Sequence, residues 1–591
     1  MCGILGQVSR NIDRREFKSR LGLLHHRGPD DSGIYFDENI ALGHTRLSIL
    51  DLSSDGHQPM ISNCENFIIN FNGEIYNFEE IKKDLIQKGY VFNSQADTEV
   101  LLYGYIEYKE NIVNKLNGMF VFSIYDKKEA KLFLARDRSG MKPLYYFKDD
   151  KIFSFSSELR AITKHSSSIS LDAKILFLLL GFVPEPFNIY EKISMFPAGH
   201  YGYYKDNKLK TIKYDEYKYE PKIVKPYAEI VSDTRELLVA SIKRHLISDA
   251  PVGVFLSGGV DSSVITSIAS QCKSDLQTLS LVFKEKSFNE EYFQDLIVDK
   301  YSTNHIKCSI DKNIFLSTVD DFMSLMEKPT IDGLNTYFIS KAAKDSNLKS
   351  VLSGIGGDEI FYGYPSFKNA KVLKLLSKIP YSLIKIFENF SKIKRGTYRK
   401  LELVQAESEL AYYLPNRGLF SPSEISDILK VRKDRVYHLI TNLYNAYNPS
   451  NIYQVEDKIS FYELNMYMKN QLLRDSDLFG MANSVEIRTP FLDRELINYV
   501  LKVKPKEKFG KHNKNLLVDA TANLLPKEIF SRRKSGFVLP YERWLMDDID
   551  KLNVGKNIIN KFKARKISWS QLWAIYILKS KFNENYREKI W

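Results

Sequence analysis

The run Val252-Gly253-Val254-Phe255-Leu256 is apolar enough to be buried on both faces. It ends in Ser257-Gly258-Gly259 and opens at once into a helical pattern beginning Val264-Ile265-Thr266. A buried strand, a glycine-bearing loop and a helix in that order commit the chain to packing a sheet against helices. Ser232 to Leu246 reads as a preceding helix. Thr278 to Phe283, His305 to Ile310 and Ser350 to Leu352 read as further strands separated by helices, which predicts an α/β unit with a doubly wound parallel sheet. From about Val372 onward helices dominate. In the loop Ser257-Gly258-Gly259-Val260-Asp261-Ser262-Ser263, two glycines let the backbone approach an anion. Serine hydroxyls and helix N-terminal amides can donate to that anion, and Asp261 can ligate Mg2+. A second loop, Ser353-Gly354-Ile355-Gly356-Gly357-Asp358-Glu359, follows a β-branched run and brings Asp358 as a second Mg2+ ligand. The GxxxxGK[ST] phosphate loop is absent.

The first third of the chain has a different grain. From Ile4 to about Lys205 short apolar runs such as Phe67 to Phe71, Met119 to Ile124 and Lys131 to Leu134 predict strands, interrupted by one helix through Phe78 to Leu85. The chain's 591 residues fit more than one domain at roughly 100 to 200 residues each. We divide it into an α+β domain at 2–205, a linker at 206–226 and an α/β domain at 227–591. Removal of Met1 leaves Cys2 as the N-terminus, joining a thiol to a free α-amine. With a reference pKa of about 7.7 to 8.0 that amine can take the thiol proton, so no catalytic histidine is required.

Charge narrows the classes. Residues 1–210 hold 27 basic and 27 acidic side chains, so the net +12 lies wholly in the remainder. It concentrates in 361–400, with ten basic and one acidic residue, and in 501–540, with ten and three. Charge confined to two segments suits an anionic substrate or a membrane face as well as nucleic acid. A nucleic-acid-modifying ATPase leaves Cys2 and the motifs around it without a purpose, and no nucleic-acid partner is expected. The four cysteines form no CxxC pair, and the histidines lack ligand spacing, so no zinc is expected, nor haem or flavin. The longest apolar run, Ile175 to Val183, is nine residues, and a membrane-spanning helix needs about 20. The N-terminus lacks the apolar core of a secretory signal, and a cytoplasmic location is expected.

Beside Cys2 stand His26-Arg27-Gly28-Pro29-Asp30, Arg46-Leu47-Ser48-Ile49, Asn72-Gly73-Glu74-Ile75-Tyr76-Asn77, Ala96-Asp97-Thr98-Glu99 and Arg136-Asp137. Singly, each has an ordinary reading; Asn72-Gly73 also fits a hairpin turn. Together they resemble the glutaminase domain of the N-terminal-nucleophile amidotransferases, with its αββα sandwich. The resemblance implies that Cys2 attacks the glutamine amide while Asn72 and Gly73 form the oxyanion hole. It further implies that Arg46 holds the glutamine carboxylate, and that Asn72, Glu74 and Asp97 complete the glutamine site, the two acids on its ammonium. The 257–263 loop resembles that of ATP pyrophosphatases. With Arg474-Asp475, Glu486 to Asp493 and Arg533 to Phe537 it completes a likeness to the glutamine-hydrolysing asparagine synthetases over nearly the whole chain.

That likeness makes ATP a co-substrate with Mg2+. It assigns Leu256, Ser257, Gly258, Gly259, Asp261, Ser262, Ser353, Gly354 and Lys534 to ATP and pyrophosphate. A carboxylate attacks the α-phosphorus to give an acyl-adenylate, and ammonia from the first domain converts it to an amide. Ammonia travels as a neutral species through an apolar channel with Arg27 at its glutaminase end. Aspartate is the expected acceptor and a homodimer an expected assembly. One position departs from the family: the asparagine-forming members carry Glu where this chain has Ile355, which can neither accept a proton nor bind an ammonium. That change keeps open a second acceptor, the carboxylate of a uronic acid sugar in surface-polysaccharide synthesis. The alternating basic and apolar residues of 361–400 suggest peripheral membrane contact, although a solvated helical face has the same composition.

Overall fold

Two six-stranded antiparallel sheets form the N-terminal region of the computed structural model, which describes residues 2–166, 168–379, 400–406, 408–532, 539–552 and 554–582. The first sheet runs Ile193–Met195, Tyr145–Lys148, Ile152–Ser156, Cys2–Ser9, Ile40–Arg46, Asp31–Phe36. The second runs Lys208–Lys213, His200–Lys205, Lys131–Arg136, Gly118–Asp126, Phe67–Ile75, Met60–Ile61. Side chains alternate across each pleat. Ile4, Leu42 and Phe155 meet Ile68, Val121 and Leu134 between the sheets. Leu5 points the other way, into a cluster with Phe17 and Leu21 of the helix Arg14–Gly22. Beyond the second sheet, Phe71, Phe122 and Phe133 pack on the helices Phe78–Gln87 and Asp97–Tyr108. The order is helix, sheet, sheet, helix, the αββα sandwich expected from the sequence.

Three helices escape the periodicity reading. Asp97–Tyr108 and Leu171–Leu180 are buried on nearly every side, so neither shows the one-sided stripe that marks a surface helix. Arg14–Gly22 is nine residues, started by Asp13, whose carboxylate accepts from the N–H groups of Arg15 and Glu16. The stretch read as a linker from 206 begins inside the sheet. Lys208–Lys213 pairs with His200–Lys205, and its polar outer face hides it as an edge strand.

The C-terminal region is built on a five-stranded parallel sheet in the order Asn304–Ile310, Gln277–Phe283, Val252–Phe255, Ser350–Leu352, Glu486–Arg488. Sequence-adjacent strands fan outward on one side of Val252–Phe255, and the chain then returns to place Ser350–Leu352 on its other side. That reversal opens a crevice at the strands' C-terminal ends, where open α/β sheets bind ligands. Both glycine loops leave from the two strands flanking it. The expected helical remainder follows. Of the basic segment 361–400, Pro365–Leu376 is helical and exposes Val372 and Leu375, while 380–399 lies outside the described residues. No helix among the described residues is long and apolar enough to cross a membrane.

Candidate active sites

Cys2 opens the strand Cys2–Ser9 directly across from Arg46 and is itself buried. Sheet stacking brings the facing strand Phe67–Ile75 over it. The Cys2 backbone N–H donates to Asn72 Oδ1 at 3.0 Å, while the Asn72 Nδ2 amide is buried with no hydrogen-bond partner among the described residues. A buried, unpartnered donor is costly unless something is meant to arrive, and this one lies beside the nucleophile. Gly73 is required by close approach, since a Cβ there would overlap the Met119 carbonyl on the paired strand. Burial pushes the Cys2 thiol up, against the Leu47 N–H and the Arg46 cation, which pull it down.

Glu74 and Asp97 are both buried next to Asn72. Burial holds Glu74 well above the ordinary carboxylate range despite Arg488 nearby. Burial pushes Asp97 up to about 6, opposed by the Ile75 N–H that donates to its Oδ2 at 2.9 Å. The Arg46 guanidinium donates to the carbonyls of Ser53 (2.8 Å), Leu50 (3.3 Å) and Asp51. Those bonds leave Nε–H and one Nη1 proton of its five donors for a ligand. Arg27 is fully buried at the domain junction. It donates to the Cys2 carbonyl at 3.1 Å and pairs with Glu158 at 3.0 Å and with Asp477 of the second region at 2.9 Å.

The second site is a cavity of about 580 Å³ at the crevice of the parallel sheet, lined by Leu256, Ser257, Gly259, Asp261, Ser262, Ser353, Gly354 and Ile355 among others. Gly258 takes a left-handed φ of +73° and turns the backbone so that the helix Val260–Cys272 starts at the loop. The loop is held by its own hydroxyls, Ser257 N–H donating to Ser262 Oγ at 3.2 Å. Glycine is needed in the second loop as well, because a Cβ at Gly357 would overlap the Asp261 carboxylate and one at Gly354 would press on the Asp261 Cβ. The two loops thus converge on Asp261. Lys514 Nζ bridges them, pairing with Asp261 and with Asp358 Oδ1 at 2.6 Å. Lys534 lies outside the described residues.

Two residues went unassigned in the motif reading. Lys514 belongs to the basic cluster 501–540, but only the fold shows that it reaches both loop carboxylates. Arg488 stands in Glu486-Ile487-Arg488 with no role attached. Its backbone carbonyl accepts from Ser353 N–H at 2.8 Å, its guanidinium pairs with Glu486 at 2.6 Å, and its Nη2 lies 3.4 Å from Glu74. One arginine therefore touches the start of the second loop and a candidate glutamine ligand.

The chain's relatives agree with this division. A model described as a glutamine amidotransferase domain matches residues 1–215, and one described as asparagine synthase matches residues 233–568. The chain is 31% identical over 566 residues to asparagine synthetase [glutamine-hydrolyzing] 1 of Bacillus subtilis (strain 168), covering 93% of this chain and 89% of that protein. A putative asparagine synthetase [glutamine-hydrolyzing] 2 of Methanocaldococcus jannaschii is 35% identical over 416 residues, 64% of this chain and 79% of that one. A nucleophile strand under an unpartnered amide, and a glycine-loop crevice in a parallel sheet, thus occupy the two stretches that these families match. The chain belongs to the glutamine-hydrolysing asparagine synthetase family.

Proposed function

We propose that Cys2 hydrolyses glutamine and that the parallel-sheet crevice adenylates aspartate, which ammonia then converts to asparagine. The observation that carries this reading is the convergence of both glycine loops on Asp261 beneath a single lysine. Phosphates need that combination of backbone donors, cation and carboxylate. At the first site the α-amine of a processed Cys2 takes the thiol proton, and Sγ attacks the glutamine Cδ. The oxyanion forms against Asn72 Nδ2 and the Gly73 N–H, and the C–N bond breaks to release ammonia. At the second site an acceptor carboxylate oxygen attacks the α-phosphorus and pyrophosphate departs. Ammonia then adds to the acyl carbonyl, loses a proton and expels AMP. A neutral route between the sites is supported by the apolar cluster in which Met119 and Met141 join Leu352 and Phe491.

Asp261 and Asp358 are hard oxygen donors sharing one ammonium, a pair that suits Mg2+, which is commonly bound through one or two carboxylates plus substrate phosphates. They would hold it, and when bound it neutralises phosphate charge. Lys534 is assigned to the departing pyrophosphate by family likeness. Ile355 on the cavity wall, with the stacked rings of Tyr541 and Trp569 4.4 Å apart on the same wall, favours the second reading. Aromatic faces suit a sugar ring, and the acceptor is then a uronic acid carboxylate.

Pyrophosphate release with glutamine over a panel of carboxylates separates the two. Activity is expected on aspartate. Aspartate inactivity with turnover of a uronic acid transfers the assignment to the second reading, and silence on every carboxylate overturns both. The glutamine KM should also rise as pH falls through about 6, where Asp97 takes up its proton and no longer attracts the substrate ammonium. A KM that stays flat from about pH 8 to pH 5 counts against Asp97 as a ligand.

A further inference from the structure

The cavity wall away from the phosphate loop is built on an uncommon helix. Residues Glu463–Leu473 are π-helical within the helical run from Val455 to Met481. Such geometry is mostly limited to single turns and recurs at functional sites. Here it carries Glu463, Tyr467 and Gln471. The fully buried Glu463 carboxylate accepts from Arg417 Nε at 2.9 Å and from Ser366 Oγ at 2.7 Å, and it pairs with Arg417 Nη2 at 2.7 Å. The guanidinium lies 3.8 Å over the Tyr467 ring and 4.2 Å over the Tyr364 ring. Its plane is therefore fixed by one acid edge-on and two aromatic faces, and Arg417 itself lines the cavity.

Donor accounting shows what this arrangement leaves over. Of five guanidinium N–H groups, Glu463 occupies the Nε edge, and the Nη1 group has no acceptor among the described residues. Gln471, 3% exposed and lining the same cavity, likewise has no side-chain hydrogen bond among the described residues. The Asn416 Nδ2 beside it is buried without a partner. A pre-oriented arginine edge with two unpaired amides is a receptor for a planar or tetrahedral oxyanion. Its place is also defined. The Tyr364 hydroxyl donates to Glu359 Oε1 at 2.7 Å, and Glu359 adjoins Asp358 on the second loop.

We propose that Arg417, with Gln471 and Asn416, anchors an oxyanion of the acceptor other than the carboxylate that becomes the amide. This rests on the amidotransferase reading above. On aspartate that group is the α-carboxylate; on a nucleotide-linked uronic acid it is a linker phosphate. Anchoring there sets how far the reacting carboxylate sits from the phosphate loop, which makes this subsite the one that selects the acceptor.

The test uses the full-length enzyme and pyrophosphate release on the acceptor found in the panel. Arg417→Lys keeps a charge but loses the second edge, and the acceptor KM should rise about ten- to hundredfold with the KM for ATP and the glutaminase rate near wild type. Gln471→Leu, which leaves the Glu463 pair intact, should raise the acceptor KM several-fold. The wild type should also reject an acceptor lacking the second anion. That acceptor is aspartate with its α-carboxylate amidated, or the free uronic acid in place of its nucleotide-linked form. Arg417→Lys should narrow that preference. Wild-type acceptor KM and undiminished preference in both variants overturn the subsite while leaving amidotransfer intact. Failure of the wild type on every carboxylate overturns the underlying reading instead.

Discussion

Cys2→Ala is expected to abolish synthesis from glutamine by about ten-thousandfold or more, while synthesis from added ammonium salt continues near the wild-type rate. The thiol is the attacking atom, and nothing beside it replaces it: His44 is buried, its ring pushed down to about 3 by that burial, and bonded to the Phe71 carbonyl at 3.0 Å. Alanine fits the buried position, so the strand pairing to Arg46 survives and the second site is untouched. The measurement is amide formation with each nitrogen source in turn. Loss of both activities in a folded variant would sink the two-site scheme, and retained glutamine use would remove Cys2 from the chemistry.

The complementary variant is Asp261→Asn. It is nearly isosteric, so the close contacts with Gly354 and Gly357 are kept, but it removes one of the two charges facing Lys514. Pyrophosphate release should fall by about a thousandfold, the scale seen when one preorganised electrostatic partner is lost, with glutaminase turnover within a few-fold of wild type. Equal loss at both sites would show that Asp261 supports the fold and not the phosphates.

Much of this was legible from the sequence for a definite reason. Cys2, Asn72, Gly73 and both glycine loops sit at strand ends or strand-to-helix turns, where backbone geometry restricts the residue type and leaves a local signature. The pairs that complete the sites have no such signature. Lys514 meets Asp261 across 253 positions and Arg417 meets Glu463 across 46. A charged residue in a helix reads the same whether its partner is solvent or a distant acid. Arg488 is the intermediate case, standing in a recognisable string while its contact with Glu74 depends on how two domains dock. The helices 97–108 and 171–180 were hidden by the opposite cause, burial so complete that no polar face remained to set a period.

The wide helix also carries a consequence for how this chain tolerates length changes. One turn of π-helix holds about one residue more than an α-turn, so a single-residue deletion within 463–473 has an easy local remedy, collapse to the α register. The remedy would swing everything downstream by about 100°. Asp475, whose carboxylate accepts from Thr330 Oγ1 at 2.6 Å, and Ser476 would leave the cavity wall they now line. Deletions there should yield folded protein with an altered acceptor range, whereas the same deletion in an exposed loop should pass unnoticed. Relatives that differ by one residue in this helix are thus the natural place to look for a change of substrate.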